Sequence, residues 1–268
     1  MNFFTHEYIT DRVIRIIDSM ENCFYLVIGE KKACLIDTGD GFGALKEYVQ
    51  KLTEKEVIVA LTHGHLDHVG GCGCFDVAYL NAKDLDLFKS HNNSNFRLVK
   101  FKEEVNEYMI KDFNTEFTGE IKELKNGDII DLGGIRVEFI DVPGHTMGTM
   151  IPIILEERIA IFGDACGVGT LLLPEGSTSV KEYLNSLITF KMHEDKYDLV
   201  LRNHGTFHSP KELLDNVIEC CEDILSGNYE MSPVVTHGVS FFVAKPIGSD
   251  GNRLDGKEGN IKFTSKNL

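Results

Sequence analysis

Three imidazoles and a carboxylate fall within six residues at His63-Gly64-His65-Leu66-Asp67-His68. In an extended loop His63 and His65 stand two residues apart and point to the same side, so both can reach one ion. Asp67 and His68 can turn toward a second ion close by. Imidazole nitrogen and carboxylate oxygen are ligands that zinc, iron and manganese accept. Gly64 and Gly70-Gly71 allow tight backbone turns beside them. The plain alternative is a polar loop with chance histidines. The chain has only ten histidines in 268 residues, so three within six positions would be an unusual accident.

Such a loop needs elements to hold it. Val57 to Leu61 is a continuous apolar run that fits a buried strand and ends directly at Thr62. Upstream, Arg12 to Asp18, Cys23 to Gly29 and Ala33 to Asp37 read as strands, and Ala44 to Leu52 has helical apolar spacing. Asp37-Thr38-Gly39-Asp40-Gly41 is a turn cluster. Downstream, residues 77 to 81 look like a strand, and Ala82 to about Thr118 reads as two helices forming an insertion. Strands are expected again near Ile121 to Leu124, Ile129 to Leu132, Ile135 to Ile140, Met150 to Leu155, Arg158 to Phe162 and Asp198 to Leu201. Ser179 to Met192 and Pro210 to Leu225 are expected helices. The last stretch offers one clear strand, Val239 to Ala244, and a Gly-rich tail.

Thr62-His63-Gly64-His65-Leu66-Asp67-His68 resembles the THxHxDH loop of the metallo-β-lactamase superfamily. Four further elements follow that family's order: Leu35-Ile36-Asp37-Thr38-Gly39, Pro143-Gly144-His145-Thr146, Phe162-Gly163-Asp164 and Asn203-His204-Gly205. The likeness spans roughly residues 12 to 208. It implies an α+β fold, a four-layer αβ/βα sandwich of two mixed β-sheets flanked by helices. It implies a single domain over residues 1–268, with a helical insertion at about 82–118 and a C-terminal extension at about 227–268. Carried over, His63, His65 and His145 would hold one metal, Asp67, His68 and His204 a second, and Asp164 would bridge them. Asp37 would orient a ligand histidine. Two divalent ions are expected, zinc first, with iron or manganese as alternatives. Asp67 and Asp164 are the expected catalytic carboxylates.

That set implies a dinuclear metal-dependent hydrolase using a metal-bridging hydroxide on a small ester, thioester or lactone. Phosphodiester hydrolysis of a small nucleotide or phospholipid-type substrate is an alternative, as is a mononuclear iron persulfide dioxygenase. Flavodiiron-type relatives place Glu where this chain has His65. Several true β-lactamases place Cys where it has Asp164, so antibiotic hydrolysis is not expected. Roughly 64 residues follow His204, too few for the added helical domain of glyoxalase II, which counts against a glutathione thioester. Met147, Met150, Val168 and Leu171 to Leu173 suggest an apolar pocket wall.

The remaining features narrow the setting. A net charge of −15 argues against a nucleic-acid polymer as partner. Apolar runs are too short for membrane insertion, and no signal peptide is visible. Seven cysteines, an odd number without framework spacing, fit a reducing cytoplasmic location and a packing role. Cys166 is read as packing. His6, His91 and His193 lie in polar surroundings and are expected to be exposed. His208 is an even candidate for pocket lining or for a surface or capping role. His237, a loop histidine that could reach the site from the tail, is expected to be structural or solvated. The expected partner is a small-molecule substrate, and a homodimer is compatible with the sequence.

Overall fold

A computed structural model describes residues 2–102, 107–236 and 238–268. Contacts divide the chain into two compact units, Met1–Phe139 with Ile154–Glu157 and Ile140–Ile153 with Arg158–Leu268.

The first unit is built on a seven-stranded sheet of order β1-β2-β3-β4-β5-β6-β7. These strands are β1 (Phe4–Tyr8), β2 (Val13–Asp18), β3 (Cys23–Ile28), β4 (Lys32–Ile36), β5 (Glu56–Ala60), β6 (Val77–Leu80) and β7 (Glu120–Glu123). Pairing is antiparallel from β1 to β4 and parallel from β4 to β7. Parallel neighbours need a crossover, and helix α1 (Leu45–Leu52) supplies the one from β4 to β5. Its Leu45 and Val49, four residues apart, face the core and are about 1% exposed. Burying two such side chains contributes about 1.5–3 kcal/mol each. Strands β2, β3 and β4 are buried along nearly their whole length, which is why they read as apolar runs rather than alternations. The short helix α2 (Leu66–Val69) follows β5.

The connection from β6 to β7 carries α3 (Leu85–Asn92), α4 (Ser94–Lys100) and α5 (Glu107–Lys111), three helices where two are predicted. Residues 103–106 of this insertion, and His237, lie outside the described residues. Strands β8 (Ile129–Asp131) and β9 (Arg136–Asp141) form a hairpin whose turn uses Gly133 and Gly134 at positive φ.

The second unit continues with β10 (Met150–Ile154), β11 (Ile159–Ile161), β12 (Thr170–Leu171), β13 (Leu199–Leu201) and β14 (His208–Ser209). A six-stranded sheet runs β14-β13-β11-β10-β9-β8, and the division between the units passes through β9 and β10. Helix α6 (Val180–Lys191) opens with a capping box: Ser179 Oγ accepts from the Glu182 amide, and the Glu182 carboxylate accepts from the Ser179 amide. Its Val180, Tyr183, Leu187 and Phe190 recur at helical spacing and are buried. Helix α7 (Leu213–Leu225) starts three residues after the predicted Pro210.

The C-terminal stretch departs from its reading as one strand and a tail. Strands β15 (Glu230–Thr236), β16 (Val239–Val243) and β17 (Ile261–Phe263) join β12 in a four-stranded sheet of order β12-β17-β16-β15. β15 contains Pro233 and a register shift, features tolerated at a sheet edge that mask a strand in the sequence. No helix among the described residues is long and apolar enough to cross a membrane.

Candidate metal centre

In the first unit, β5 delivers Thr62 and His63 to the end of the sheet, and α2 folds the rest of the motif back on itself. Asp37 lies beneath it, fully buried, with φ +65 at the end of β4. Aspartate tolerates this left-handed backbone better than most residues. Its carboxylate accepts from the Thr62 amide at 2.8 Å, from the Thr62 hydroxyl at 2.8 Å and from His68 Nδ1 at 2.9 Å. The bond from His68 assigns its proton to Nδ1 and turns Nε2 outward as a lone pair, 3.5 Å from an Asp67 oxygen. Because the Thr62 hydroxyl gives its hydrogen to Asp37, it accepts from His63 Nδ1 at 3.1 Å. His63 Nε2 is thereby left as a lone pair, 3.1 Å from His65 Nδ1. Each imidazole–imidazole or imidazole–carboxylate pair offers two ligand atoms within 4.8 Å.

Two glycines let the chain pass close under this loop. A Cβ at Gly70 would lie 2.2 Å from the Asp40 carbonyl oxygen, and one at Gly41, where φ is +86, would lie 2.3 Å from the Gly70 carbonyl oxygen. Below them sits a buried acid pair in which the Asp40 amide donates to Asp18 Oδ2 at 3.0 Å. Burial and the charge of Asp18 push the Asp40 carboxyl well above the usual range, and burial raises Asp18 as well.

The second unit carries the other three predicted ligands on separate loops. His145 donates from Nδ1 to the Leu171 carbonyl at 2.7 Å, which again leaves Nε2 as the lone pair. The two oxygens of Asp164 are divided between two histidines. Oδ2 stands 3.5 Å from His145 Nε2, and Oδ1 stands 3.2 Å from His204 Nε2. Tyr183 ties two of these loops together. Its hydroxyl donates to the Ala165 carbonyl at 2.6 Å, and its ring lies where a Cβ at Gly144 would be, 2.1 Å away. The His204 side chain is 38% exposed, against 1% for His68.

Other expectations fare unevenly. Cys166 is fully buried and its thiol is pushed up by burial, as befits packing. Met150 and Leu172 belong to the core rather than to a pocket wall, since they are about 1% and 0% exposed; Met147 is 45% exposed. His208 is exposed on β14. His6 is exposed as expected, but His193 is half-buried against the Phe190 ring. His91 is not the exposed residue its polar neighbours suggest. It is half-buried, stacks on His65 at 5.1 Å and 29°, and accepts from the Leu66 amide at 3.2 Å. A sequence signal existed for His91, which lies three residues after the buried Phe88 on the same helical face.

Imidazoles whose Nδ1 is hydrogen-bonded, with carboxylates near Nε2 of His68, His145 and His204, suit a divalent metal ion, and the class they define is the metal-dependent hydrolases. The chain belongs to the metallo-beta-lactamase superfamily, whose model matches residues 17–197, and it has that family's α+β sandwich of mixed sheets flanked by helices. It is 25% identical over 201 residues to the hydroxyacylglutathione hydrolase GloC of Haemophilus influenzae, covering 73% of this chain and 90% of that one. It is 23% identical over 244 residues to the acyl-coenzyme A thioesterase MBLAC2 of Homo sapiens, covering 84% of each. Its fold matches a metallo-beta-lactamase from Pontibacter korlensis with a TM-score of 0.60 at 14% identity, over 82% of this chain and 99% of that one.

Proposed function

We propose that the protein hydrolyses a small thioester or ester with two divalent metal ions, zinc in the first instance. His63, His65 and His145 are assigned to one ion, Asp67, His68 and His204 to the other, and Asp164 to both. The observation that carries this reading is the division of the Asp164 carboxylate, one oxygen to His145 and the other to His204. Bound ions would supply an acidified water near neutral pH and a Lewis acid for the carbonyl oxygen. The protein's own part is to orient the ligand rings and select their tautomer through hydrogen bonds from Nδ1 to Asp37, Thr62 and the Leu171 carbonyl. Asp67, partly exposed beside His68, is placed to hold or move a proton at its carboxylate.

Two relatives bear names of thioester hydrolases, which favours a thioester among the acyl substrates. One of them, named for a glutathione thioester, is covered to 90% by 201 residues of this chain. The length that follows His204 therefore does not count against that substrate. We place the protein in a reducing, cytoplasmic setting, in keeping with seven free cysteines. Elemental analysis of the purified protein, followed by hydrolysis assays on acyl-glutathione, acyl-coenzyme A, aryl ester and bis-aryl phosphate, tests the proposal. Two ions per chain and chelator-sensitive thioester hydrolysis are expected. At most one ion, or phosphodiester cleavage far above thioester cleavage, would overturn it.

A further inference from the structure

The helical insertion grips the ligand loop from one side at four backbone groups. The Gly64 amide donates to the buried Asp84 carboxylate at 2.9 Å, and the Leu66 amide donates to His91 Nδ1 at 3.2 Å. The Val69 carbonyl accepts from Asn92 Nδ2 at 3.0 Å, and the Gly70 carbonyl accepts from Arg97 at 2.8 Å. Four side chains between positions 84 and 97 thus hold four backbone groups between 64 and 70. Asp84, Asn92 and Arg97 are each 3% exposed or less. A second guanidinium nitrogen of Arg97 donates to the Asn114 carbonyl at 2.8 Å, and its plane covers the Phe113 ring at 4.4 Å. The cation is thus spent on backbone carbonyls, and burial pushes its pKa down to about 10. Space is equally tight, because a Cβ at Gly64 would meet the Phe88 amide nitrogen at 2.9 Å.

We propose that Asp84, His91, Asn92 and Arg97 form a positioning cradle that sets the spacing of His63, His65 and His68, so that the insertion governs metal affinity. Buried amides and carbonyls cost free energy when left unmade, so the cradle holds the loop in one conformation before any ion arrives. His91 adds a ring that fixes the plane of His65. A loop already shaped loses less conformational freedom on binding.

This inference rests on the proposed metal centre. The test uses Co²⁺ alone, with its visible absorption and its affinity measured against a chromophoric chelator. Asp84→Ala should weaken Co²⁺ binding roughly 10–100-fold and change the absorption envelope. Asp84→Asn, which keeps an acceptor for the Gly64 amide, should restore most of both. His91→Ala, at a half-buried position, should shift the envelope in a chain that keeps its fold, and it carries the test if Asp84→Ala does not fold. Lower thermal stability with wild-type affinity and spectrum in these variants would reduce the cradle to packing and overturn the inference alone. A wild-type chain that binds no Co²⁺ would overturn the metal centre and the cradle together.

Discussion

The two sets of predicted ligands are held in different ways. In the first unit they come from one loop, with His63 and His68 at 0% and 1% exposure, and backbone groups of Thr62, Gly64, Leu66, Val69 and Gly70 are held by neighbouring side chains. In the second unit they come from three loops spread over sixty residues, and His204 is more than one-third exposed. Rigidity is built in where the motif is contiguous. Where it is dispersed, single ties such as Tyr183 to Ala165 do the positioning, and Asp164 itself is the element shared between histidines. The contrast teaches that the protein carries one tightly built set of predicted ligands and one adjustable set.

That contrast can be broken most forcefully at Asp164. Asp164→Asn should lower occupancy of both ions and reduce kcat/KM by at least about 10²-fold, in line with the several kcal/mol a metal contributes to charge stabilisation. His204→Ala should remove about one ion and leave the other. Metal stoichiometry on the two variants checks this, and equal losses would erase the distinction between shared and single ligand.

Asp37 probes the tightly built set. Asp37→Ala strips three donors of their acceptor and should destabilise the fold by about 3 kcal/mol, with a further drop in metal affinity of about 10–100-fold. Urea unfolding and chelator competition measure the two effects. A fall in stability alone would mean that the His68 tautomer is fixed by something else.

The smallest effect concerns the acid pair under the same loop. Because burial and Asp18 raise the Asp40 carboxyl, the folded chain keeps a proton there that the unfolded chain has lost. Stability from this position is therefore fully present below the ordinary carboxylate range near 4. It declines as pH rises from there toward the raised folded value. Asp40→Asn, neutral at every pH, should flatten that decline in the metal-free protein. Urea midpoints at pH 5 and pH 8 decide it; a wild-type midpoint that does not fall with pH would contradict the sign.

Much of this was legible in the sequence because the signals are local. The His63 to His68 motif, the apolar run feeding it and the Pro-Gly-His and Gly-Asp turns each announce themselves within a few residues. The edge strand β1 did not, since four of its five residues are exposed and it lacks an apolar pattern. Nor did β17, three residues long within a Gly-rich stretch. Asp84 and Arg97 were invisible for a different reason. Their partners are backbone groups 20 and 27 residues away, and a backbone group leaves no mark in a sequence. His91 was misplaced because its polar neighbours on the chain are not its neighbours in space.

The close pass of Gly41 against Gly70 has a bearing on engineering. Each occupies the volume that a side chain on the other's loop would need, so the two segments behave as one cassette. A designer who transplants the His63 to Gly71 loop into another scaffold must carry the Gly39 to Gly41 turn with it. Libraries that vary either segment alone will be populated mainly by chains that cannot close the seam.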